Sequence, residues 1–278
     1  ASGSLERVLL IVKDYSTADF SPFFASLPKV GLMFSERSLK LMGPQTMHGY
    51  ALCFARCYYR FVDSDMARPE LAVPGLPDWL LAQIAAEQRL RDLVNTPTAE
   101  LSTNEFAEQI KSLAYEHDAK VDVYKDDVQS QFPAVYAVGH TSKNQPQVVN
   151  LKWGDKSHPR LALVGKGVCY DTGGLNLKPG NSMLLMKKDM SGAAHALALA
   201  EMLMATKAPV QLDVWIPLAE NPIDADSYRP GDVIDTRAGK RVEITNTDAE
   251  GRLLLADALA AAGENKPAMI LDFASFAI

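Results

Sequence analysis

The chain has 278 residues, of which 47% are hydrophobic and 22% are charged, and its formal net charge at pH 7 is −6. This composition is ordinary for a globular protein and excludes disorder as the main state. The acidic balance argues against nonspecific binding to nucleic acid or to an anionic membrane surface. With roughly 100–200 residues per domain, the length predicts about two domains.

Cellular location follows from what the sequence lacks. No apolar run approaches the roughly 20 residues that a membrane span needs. The first residues lack the basic and apolar regions of an export signal. The three cysteines, Cys53, Cys57 and Cys169, do not make a disulfide framework. We therefore expect a cytoplasmic protein in a reducing compartment, without a membrane partner.

The first part of the chain mixes strand-like and helix-like patterns. Residues 8–12 predict a strand, and residues 50–61 predict a helix. Three prolines in the segment 68–77 predict a linker. We therefore expect a smaller N-terminal α/β domain with its linker at residues 1–75, followed by a second domain at residues 76–278.

The second domain begins with two predicted helices. The first starts at Asp78 and stops at Asn95-Thr96-Pro97, and the second starts at Ser102, with Glu105 completing a capping box. Apolar strands and helices alternate after that. Strands are predicted at 161–170, 210–218 and 268–274, and helices at 189–206 and 250–263. This alternation predicts an α/β fold with a mostly parallel central sheet flanked by helices.

Two windows of this domain place charged residues where the pattern predicts burial. The first contains Lys166 between two glycines and Asp171 before a Thr-Gly-Gly turn, and the second is Asn246–Leu253. Each charge has an ordinary explanation when taken alone. A strand lysine can extend to solvent, Asp-Thr-Gly is a common turn, and a carboxylate at a helix start stabilises that helix.

Taken together, the windows put four carboxylates near strand ends and helix starts of one sheet, where ligands bind. Such a cluster is relieved either by protonation or by divalent cations, and four carboxylates balance two such ions. If it is neutral, Lys166 could add a nitrogen ligand. Lys178 and Arg252 would leave the loaded site positive and suited to an anion. The four carboxylates are Asp171, Asp189, Asp248 and Glu250.

The ligand set predicts the kind of ion. It is rich in oxygen and contains one amine, without thiolate or imidazole, which favours Mn²⁺, Mg²⁺ or Zn²⁺. Other catalytic motifs are not supported. Asp171-Thr172-Gly173 resembles the aspartic-protease triplet, but that mechanism needs two such aspartates and this triplet occurs once. His-Glu-x-x-His and Gly-x-Ser-x-Gly do not occur.

At this point the residues resemble a known family. The segment Asn246–Leu253, with the sequence NTDAEGRL, matches the signature of the leucine aminopeptidase (cytosol aminopeptidase) family over all its positions. The first window is similar to that family as well, at 164–167, 171–174 and 188–190. The resemblance extends over residues 80–275 approximately.

The resemblance implies a dinuclear, metal-dependent aminopeptidase, which releases N-terminal residues from peptides that have a free N-terminal amine. It places one ion on Asp171, Asp248 and Glu250. It places the second ion on Lys166, Asp171, Asp189 and Glu250, so that Asp171 and Glu250 bridge. The implied ions are Mn²⁺ or Zn²⁺, with Mg²⁺ as a further candidate.

The resemblance also implies the roles of other residues. Lys178 would polarise the scissile carbonyl and stabilise the gem-diolate. Arg252 would hold a bicarbonate that acts as the general base for the metal-bridging water. Met186, Lys178 and Asp189 would contact the substrate. Because members of the family are commonly homohexamers, we also expect a homo-oligomer.

The sequence departs from the family pattern in two places, and the second departure motivates an alternative. Ser191-Gly192 stands where the family usually has two glycines, and the family pattern continues beyond the position of Ile278. We therefore expect the C-terminal part of the catalytic domain to be missing from this sequence. The alternative is a non-enzymatic metal-binding or assembly module with an incomplete substrate pocket.

Overall fold

The structure, a computed structural model, describes residues 31–33, 43–61, 70–73 and 75–275. The chain divides into two compact units, Ala1–Ile84 and Ala85–Ile278. The domain boundary expected after residue 75 stays a prediction.

The first unit contains a short parallel strand pair and a helix. Strand β1 (Gly31–Met33) pairs with β2 (Glu70–Ala72), and helix α1 (Pro44–Cys57) lies between them in the chain. A proline can begin α1 because the N–H groups of the first turn have no partner within the helix. Part of the expected linker at 68–77 is therefore a strand. The strand expected at 8–12 lies outside the described residues.

The next two helices form as the sequence predicts. Helix α2 (Asp78–Asn95) ends before Thr96-Pro97, and helix α3 (Thr103–Glu116) follows. The capping box at the start of α3 is present. The hydroxyl of Ser102 accepts a hydrogen bond from the helix backbone, and the N–H of Ser102 donates to the carboxylate of Glu105 at 3.1 Å.

A six-stranded sheet forms the centre of the second unit. Its strands are β3 (Lys120–Tyr124), β4 (Gln147–Trp153), β5 (Arg160–Gly165), β6 (Gly167–Asp171), β7 (Gln211–Asn221) and β10 (Met269–Phe273). Their order across the sheet is β10–β5–β7–β4–β3, and β6 also pairs with β7. Strand β4 is antiparallel to its neighbours, and the other pairs within the sheet are parallel. A separate antiparallel ribbon consists of β8 (Val233–Asp235) and β9 (Arg241–Glu243).

The strand expected at 161–170 is interrupted at Lys166. Strand β5 pairs with the first half of β7 and β6 with its second half. The backbone N–H of Lys166 donates to the carbonyl oxygen of Phe273 at 2.9 Å, and its carbonyl oxygen accepts from the N–H of Ala193 at 2.8 Å. The break thus ties β10 and the start of a helix to the lysine backbone.

Helices cover both faces of the sheet, and the strand side chains alternate between two apolar clusters. The remaining helices of this unit are α4 (Val128–Gln131), α5 (Pro133–Gly139), α6 (Ser191–Ala205) and α7 (Gly251–Glu264). Leu163 and Val214 pack with α3 and α6, whereas Ala162 and Trp215 pack with α5 and α7. Two covered faces explain the apolar strands and confirm the predicted fold class. Within the described ranges, no helix has the length and apolarity that crossing a membrane requires.

Candidate metal centre

The C-terminal ends of adjacent strands bring several polar side chains into one crevice. Lys166 follows β5, Asp171 ends β6 and Asn221 ends β7. Asp171 and Asn221 are direct partners in the sheet. Because parallel strands end at the same edge of a sheet, their terminal residues face the position where α/β proteins bind ligands.

Two 3₁₀ turns bring the remaining carboxylates to this edge. The turn Met186–Met190 contains Asp189 and leads into α6. The turn Thr247–Ala249 contains Asp248, and Glu250 follows it immediately before α7. The two aspartates therefore precede the α-helices that the sequence predicts them to open.

Lys166 lies between two of the predicted ligands. Its Nζ is 2.8 Å from Oδ2 of Asp189 and 3.1 Å from Oε1 of Glu250. It also donates to the backbone carbonyl oxygen of Ser275 at 3.3 Å. With only 5% of its surface exposed, Lys166 does not extend to solvent as an isolated strand lysine would.

Glycines leave the space that this lysine occupies. A Cβ atom on Gly251 would lie 2.4 Å from Cε of Lys166, and one on Gly165 would lie 2.6 Å from Cα of Ala193. Both distances are far below contact distance, so a side chain at either position would displace its neighbours. Gly165 thus allows a helix backbone to approach the strand closely, and Gly251 leaves room for the Lys166 side chain.

Lys178 makes the corresponding contacts at the other end of the cluster. Its Nζ is 2.8 Å from Oδ2 of Asp171 and 2.5 Å from Oδ1 of Asp248. Its side chain is 2% exposed, whereas that of Asp248 is 30% exposed. The two lysines therefore each lie between two carboxylates.

Asn221 connects the group around Lys178 with the group around Lys166. It was not among the residues that the sequence indicated. Its Nδ2 donates to Oδ1 of Asp171 at 2.8 Å and lies 3.5 Å from Oε2 of Glu250. Contacts consequently run from Asp248 through Lys178, Asp171 and Asn221 to Glu250. From Glu250 they continue through Lys166 to Asp189.

Thr247 fastens the two sequence windows to each other. Its N–H donates to Oδ1 of Asn176 at 2.8 Å, and its hydroxyl donates to the carbonyl oxygen of Gly173 at 2.6 Å. The hydroxyl of Tyr228 donates to the carbonyl oxygen of Thr247 at 2.8 Å. Gly173 and Gly174 turn the first window towards it with φ values of 87° and 63°, in the region that favours glycine.

The charges of the cluster alter one another's protonation. Burial raises the pKa of Glu250 to about 7; the charge of Lys166 opposes this shift and those of Asp171 and Asp189 add to it. The pKa of Asp189 is raised mainly by burial as well. Burial lowers the pKa of Lys166, but Glu250 and Asp189 raise it by more. Among these neighbours Lys166 is an ammonium, so it would have to lose a proton to become the nitrogen ligand that the sequence predicts.

The donor set fits divalent cations. Within the described part of the chain, Oδ2 of Asp171 and Oδ2 of Asp189 are buried and accept no hydrogen bond of regular geometry, although a lysine Nζ lies 2.8 Å from each. One ligand oxygen from each of Asp171, Asp248 and Glu250 lies within 4.8 Å of the others. Carboxylate oxygens without hydrogen bonds that face a shared space are the donors that hard and borderline cations prefer.

The structure does not bring two predicted residues into this network. Arg252 is exposed on α7, and no hydrogen bond or ion pair joins it to the described residues of the cluster. Met186 is buried, with 3% of its surface exposed, at the start of the turn that contains Asp189. The roles expected for both residues stay predictions.

Comparison with known proteins decides the family. The sequence profile described as "Cytosol aminopeptidase family, catalytic domain" matches residues 88–277. The chain belongs to this family. The matched residues contain the whole carboxylate and lysine cluster, so the resemblance seen in the two windows is confirmed.

Individual relatives and solved structures are similar to this chain. A Leifsonia xyli protein named "Probable cytosol aminopeptidase" is 42% identical over 205 residues, which cover 71% of this chain and 41% of that protein. The crystal structure of the cytosol aminopeptidase from Coxiella burnetii is 41% identical with a TM-score of 0.93, and covers 99% of this chain and 61% of that one. The bottromycin maturation enzyme BotP in complex with Mn is 32% identical with a TM-score of 0.78, and covers 89% and 57% of the two chains.

The chain is shorter than its cytosol aminopeptidase relatives. It spans 37–41% of the length of three curated relatives, all named "Probable cytosol aminopeptidase". The shared part contains the sheet and the helices that position the cluster.

Three polar residues that support the cluster were not predicted from the sequence. Asn221 ends the apolar strand β7, and Ser275 follows the strand β10. Thr247 is an uncharged residue within the signature segment Asn246–Leu253. The hydroxyl of Ser275, which has one hydrogen to donate, lies 2.8 Å from the backbone oxygen of Asp189 and 2.9 Å from its Oδ1. The position of a polar residue at the end of a strand was the available signal, because such ends form the crevice.

Proposed function

We propose that this chain contains the catalytic centre of a dinuclear metal-dependent aminopeptidase, which releases N-terminal residues from peptides. The observation that supports it is the continuous cluster of four carboxylates and two lysines at the C-terminal edge of the sheet. The family and the three-carboxylate group of Asp171, Asp248 and Glu250 agree with it.

The residues divide between two ions. Asp171, Asp248 and Glu250 would hold one ion, and Lys166, Asp171, Asp189 and Glu250 would hold the other. We propose Mn²⁺ or Zn²⁺, with Mg²⁺ as a further candidate, and the Mn complex of BotP supports the first choice. Two such cations, when bound, supply Lewis-acid polarisation of the scissile carbonyl.

The side chains of the chain itself would bind and orient the peptide. The Nζ of Lys178 would donate to the scissile carbonyl oxygen and stabilise the negative charge that develops on it. The exposed guanidinium of Arg252 is suited to a bidentate anion such as bicarbonate, which would accept a proton as the general base. Asp189 would contact the substrate, and Met186 would line the pocket for the N-terminal side chain.

We also propose a cellular location and an oligomeric state for the protein. The name of the relatives supports a cytoplasmic location, and the family resemblance supports a homo-oligomer, a hexamer in particular. We further propose that residues 1–75 form the smaller domain with its linker and that residues 76–278 belong to the catalytic domain.

Hydrolysis of Leu-p-nitroanilide with added Mn²⁺ or Zn²⁺ tests the proposal. We expect turnover, and none with the N-acetylated substrate, which lacks the free amine. Glu250→Ala should abolish both Mn²⁺ binding and turnover, because Glu250 is expected to contact both ions. Glu264→Ala is the matched control. Glu250 immediately precedes α7, whereas Glu264 ends that helix and accepts a hydrogen bond from Arg237 outside the cluster.

Retained activity in Glu250→Ala would falsify the assignment of the site. Stoichiometric metal binding without hydrolysis of any aminoacyl substrate would instead support the metal-binding or assembly module. Equilibrium dialysis and a chromogenic assay on the same preparations distinguish these outcomes.

A further inference from the structure

Asn221 is a buried amide at the point where the two halves of the cluster meet. It is the last residue of β7 and 1% exposed, and it pairs in the sheet with Asp171. Its backbone oxygen accepts hydrogen bonds from the N–H of Thr172 at 3.3 Å and from the Thr172 hydroxyl at 2.7 Å. The backbone of Asn221 is therefore fixed to the turn that follows Asp171.

The amide nitrogen of Asn221 has three acceptors around it. Nδ2 is 2.8 Å from Oδ1 of Asp171, 3.1 Å from the carbonyl oxygen of Thr247 and 3.5 Å from Oε2 of Glu250. An amide has two N–H donors, so the three acceptors share two hydrogens, and the contact to Glu250 is the longest of the three. The opposite amide orientation would direct an oxygen at two carboxylates, which electrostatic repulsion disfavours.

This arrangement determines which oxygen of Asp171 is available. Oδ1 accepts from Nδ2 of Asn221 and from the N–H of Gly173, both at 2.8 Å. Among the described residues, the partner of Oδ2 is the Nζ of Lys178, which lies 2.8 Å away at ion-pair distance. Two donors on one oxygen leave the other one directed into the cluster.

We propose that Asn221 is a positioning residue, which holds the two carboxylates expected to bridge the ions, Asp171 and Glu250, in one relative orientation. This inference rests on the proposed dinuclear function and adds a residue that acts through the ligands rather than on the substrate. Hydrogen-bonding groups behind metal ligands typically contribute about 10–100-fold to metal affinity. Asn221 would act on both ions, because each expected bridging ligand contacts it.

The same sheet offers a matched control. Asn150 is fully buried on β4, and its Nδ2 donates to Oδ1 of Asp213 at 2.6 Å and to the carbonyl oxygen of Val214 at 3.2 Å. Like Asn221, it has an Oδ1 that accepts no hydrogen bond from the residues that the structure describes. Asn150 thus has the same burial and bonding pattern, but its carboxylate partner lies outside the cluster.

The experiment compares Asn221→Leu with Asn150→Leu in the full chain, since leucine is close to asparagine in shape and lacks the donors. Mn²⁺ is titrated into each protein, and electron paramagnetic resonance measures both the free ion and the spin-coupled signal of paired ions. We expect Asn221→Leu to weaken Mn²⁺ binding by about 10–100-fold and to lose the spin-coupled signal. Asn150→Leu should retain the affinity and the signal of the unsubstituted protein.

Two results would overturn the inference. One is an Asn221→Leu protein that binds paired Mn²⁺ like the unsubstituted chain. The other is an equal loss in both variants, which would assign the effect to general destabilisation. If a leucine variant does not fold, the alanine pair at the same two positions gives the same comparison. Absence of paired Mn²⁺ in the unsubstituted protein would contradict the proposed function itself, and is thus distinguishable from failure at Asn221 alone.

Discussion

The ammonium group of Lys178 competes with any cation for the oxygens of Asp171 and Asp248. It lies 2.8 Å and 2.5 Å from them. Asp171 is fully buried, so without a positive neighbour its charge would be poorly compensated. Lys178 therefore has a structural role in the protein before cations bind, in addition to its proposed role towards the substrate.

Lys178→Met separates these effects. In EDTA we expect the free energy of unfolding to fall by about 2–3 kcal/mol, which is less than for a fully buried pair because Asp248 is 30% exposed. In Mn²⁺ the loss should become smaller, since the competing ammonium is gone and cations replace its charge. Urea unfolding with and without Mn²⁺ measures both values.

The control for this prediction is another lysine pair on the surface. Lys152 lies 2.7 Å from Asp122, and the two side chains are 46% and 55% exposed. Lys152→Met should change stability by less than about 1 kcal/mol, with or without Mn²⁺. Equal stabilities of Lys178→Met and the unsubstituted protein in EDTA would contradict the structural role.

At the residue scale, the charged residues of the site were predictable from the sequence, whereas its neutral residues were not. Lysine and carboxylates in apolar segments conflict with burial, so Lys166 and Asp171 were identifiable from the sequence. Asn221 raises no such conflict, because a neutral residue at a strand end is compatible with many structures. Only the folded chain shows that Nδ2 of Asn221 contacts groups 26 and 50 positions away in sequence.

At the scale of elements, the start of α6 is packed tightly against the sheet. A Cβ atom on Gly192 would lie 2.3 Å from the carbonyl oxygen of Phe273 and 3.0 Å from the backbone nitrogen of Lys166. Both neighbours are backbone atoms, which cannot rotate away. The spacing between α6, β10 and the Lys166 backbone therefore depends on this glycine.

Gly192→Ala should lower the free energy of unfolding by about 1–3 kcal/mol, the usual cost of overpacking. The sign of this change is informative, because replacing glycine by alanine within a helix normally stabilises it by about 1 kcal/mol. Gly263→Ala, on α7 with open space around the position, should show that normal gain. Urea unfolding of the two variants tests this, and a stabilising Gly192→Ala would show that α6 has room to move.

Elements whose signals are local were predicted well. The stop at Asn95-Thr96-Pro97 and the capping box of Ser102 and Glu105 act within a few residues, and both are present. The interruption at Lys166 was not predicted, because its backbone bonds to Phe273 and Ala193, which lie far away in the sequence. The hydropathy of a strand does not report such partners.

At the scale of the whole molecule, the sheet has a centre that is closed to reagents. Cys169 on β6 is 1% exposed, and burial strongly raises the pKa of its thiol. Cys53 and Cys57 on α1 are only partly buried. Because the thiolate is the reactive form, Cys169 should be inert while the second unit is folded.

Labelling with Ellman's reagent tests this expectation. We expect two thiols to react in the native protein and the third to react only as urea unfolds the chain, in parallel with the circular dichroism signal. Cys169→Ala should remove the protected thiol and leave the two accessible ones. Reaction of all three thiols at one rate under native conditions would contradict the buried position of β6.

The sequence predicted the fold class but not the direction of every strand. Apolar strands alternating with helices indicated a mostly parallel sheet, and the sheet has that form. The antiparallel direction of β4 depends on which neighbours it joins across the sheet, β3 and β7, rather than on its own residues. Pairing partners are a property of the complete chain.

The alternation of lysines and carboxylates sets an order of arrival for ligands. When all six groups are ionised, the crevice carries two negative charges. With two divalent cations bound and Lys166 deprotonated as a ligand, it would carry one positive charge. Its electrostatic potential would thus change sign on loading, attracting metal beforehand and repelling it afterwards. An anionic partner would meet attraction only in the second state, so the charges of the protein itself separate the two events in time.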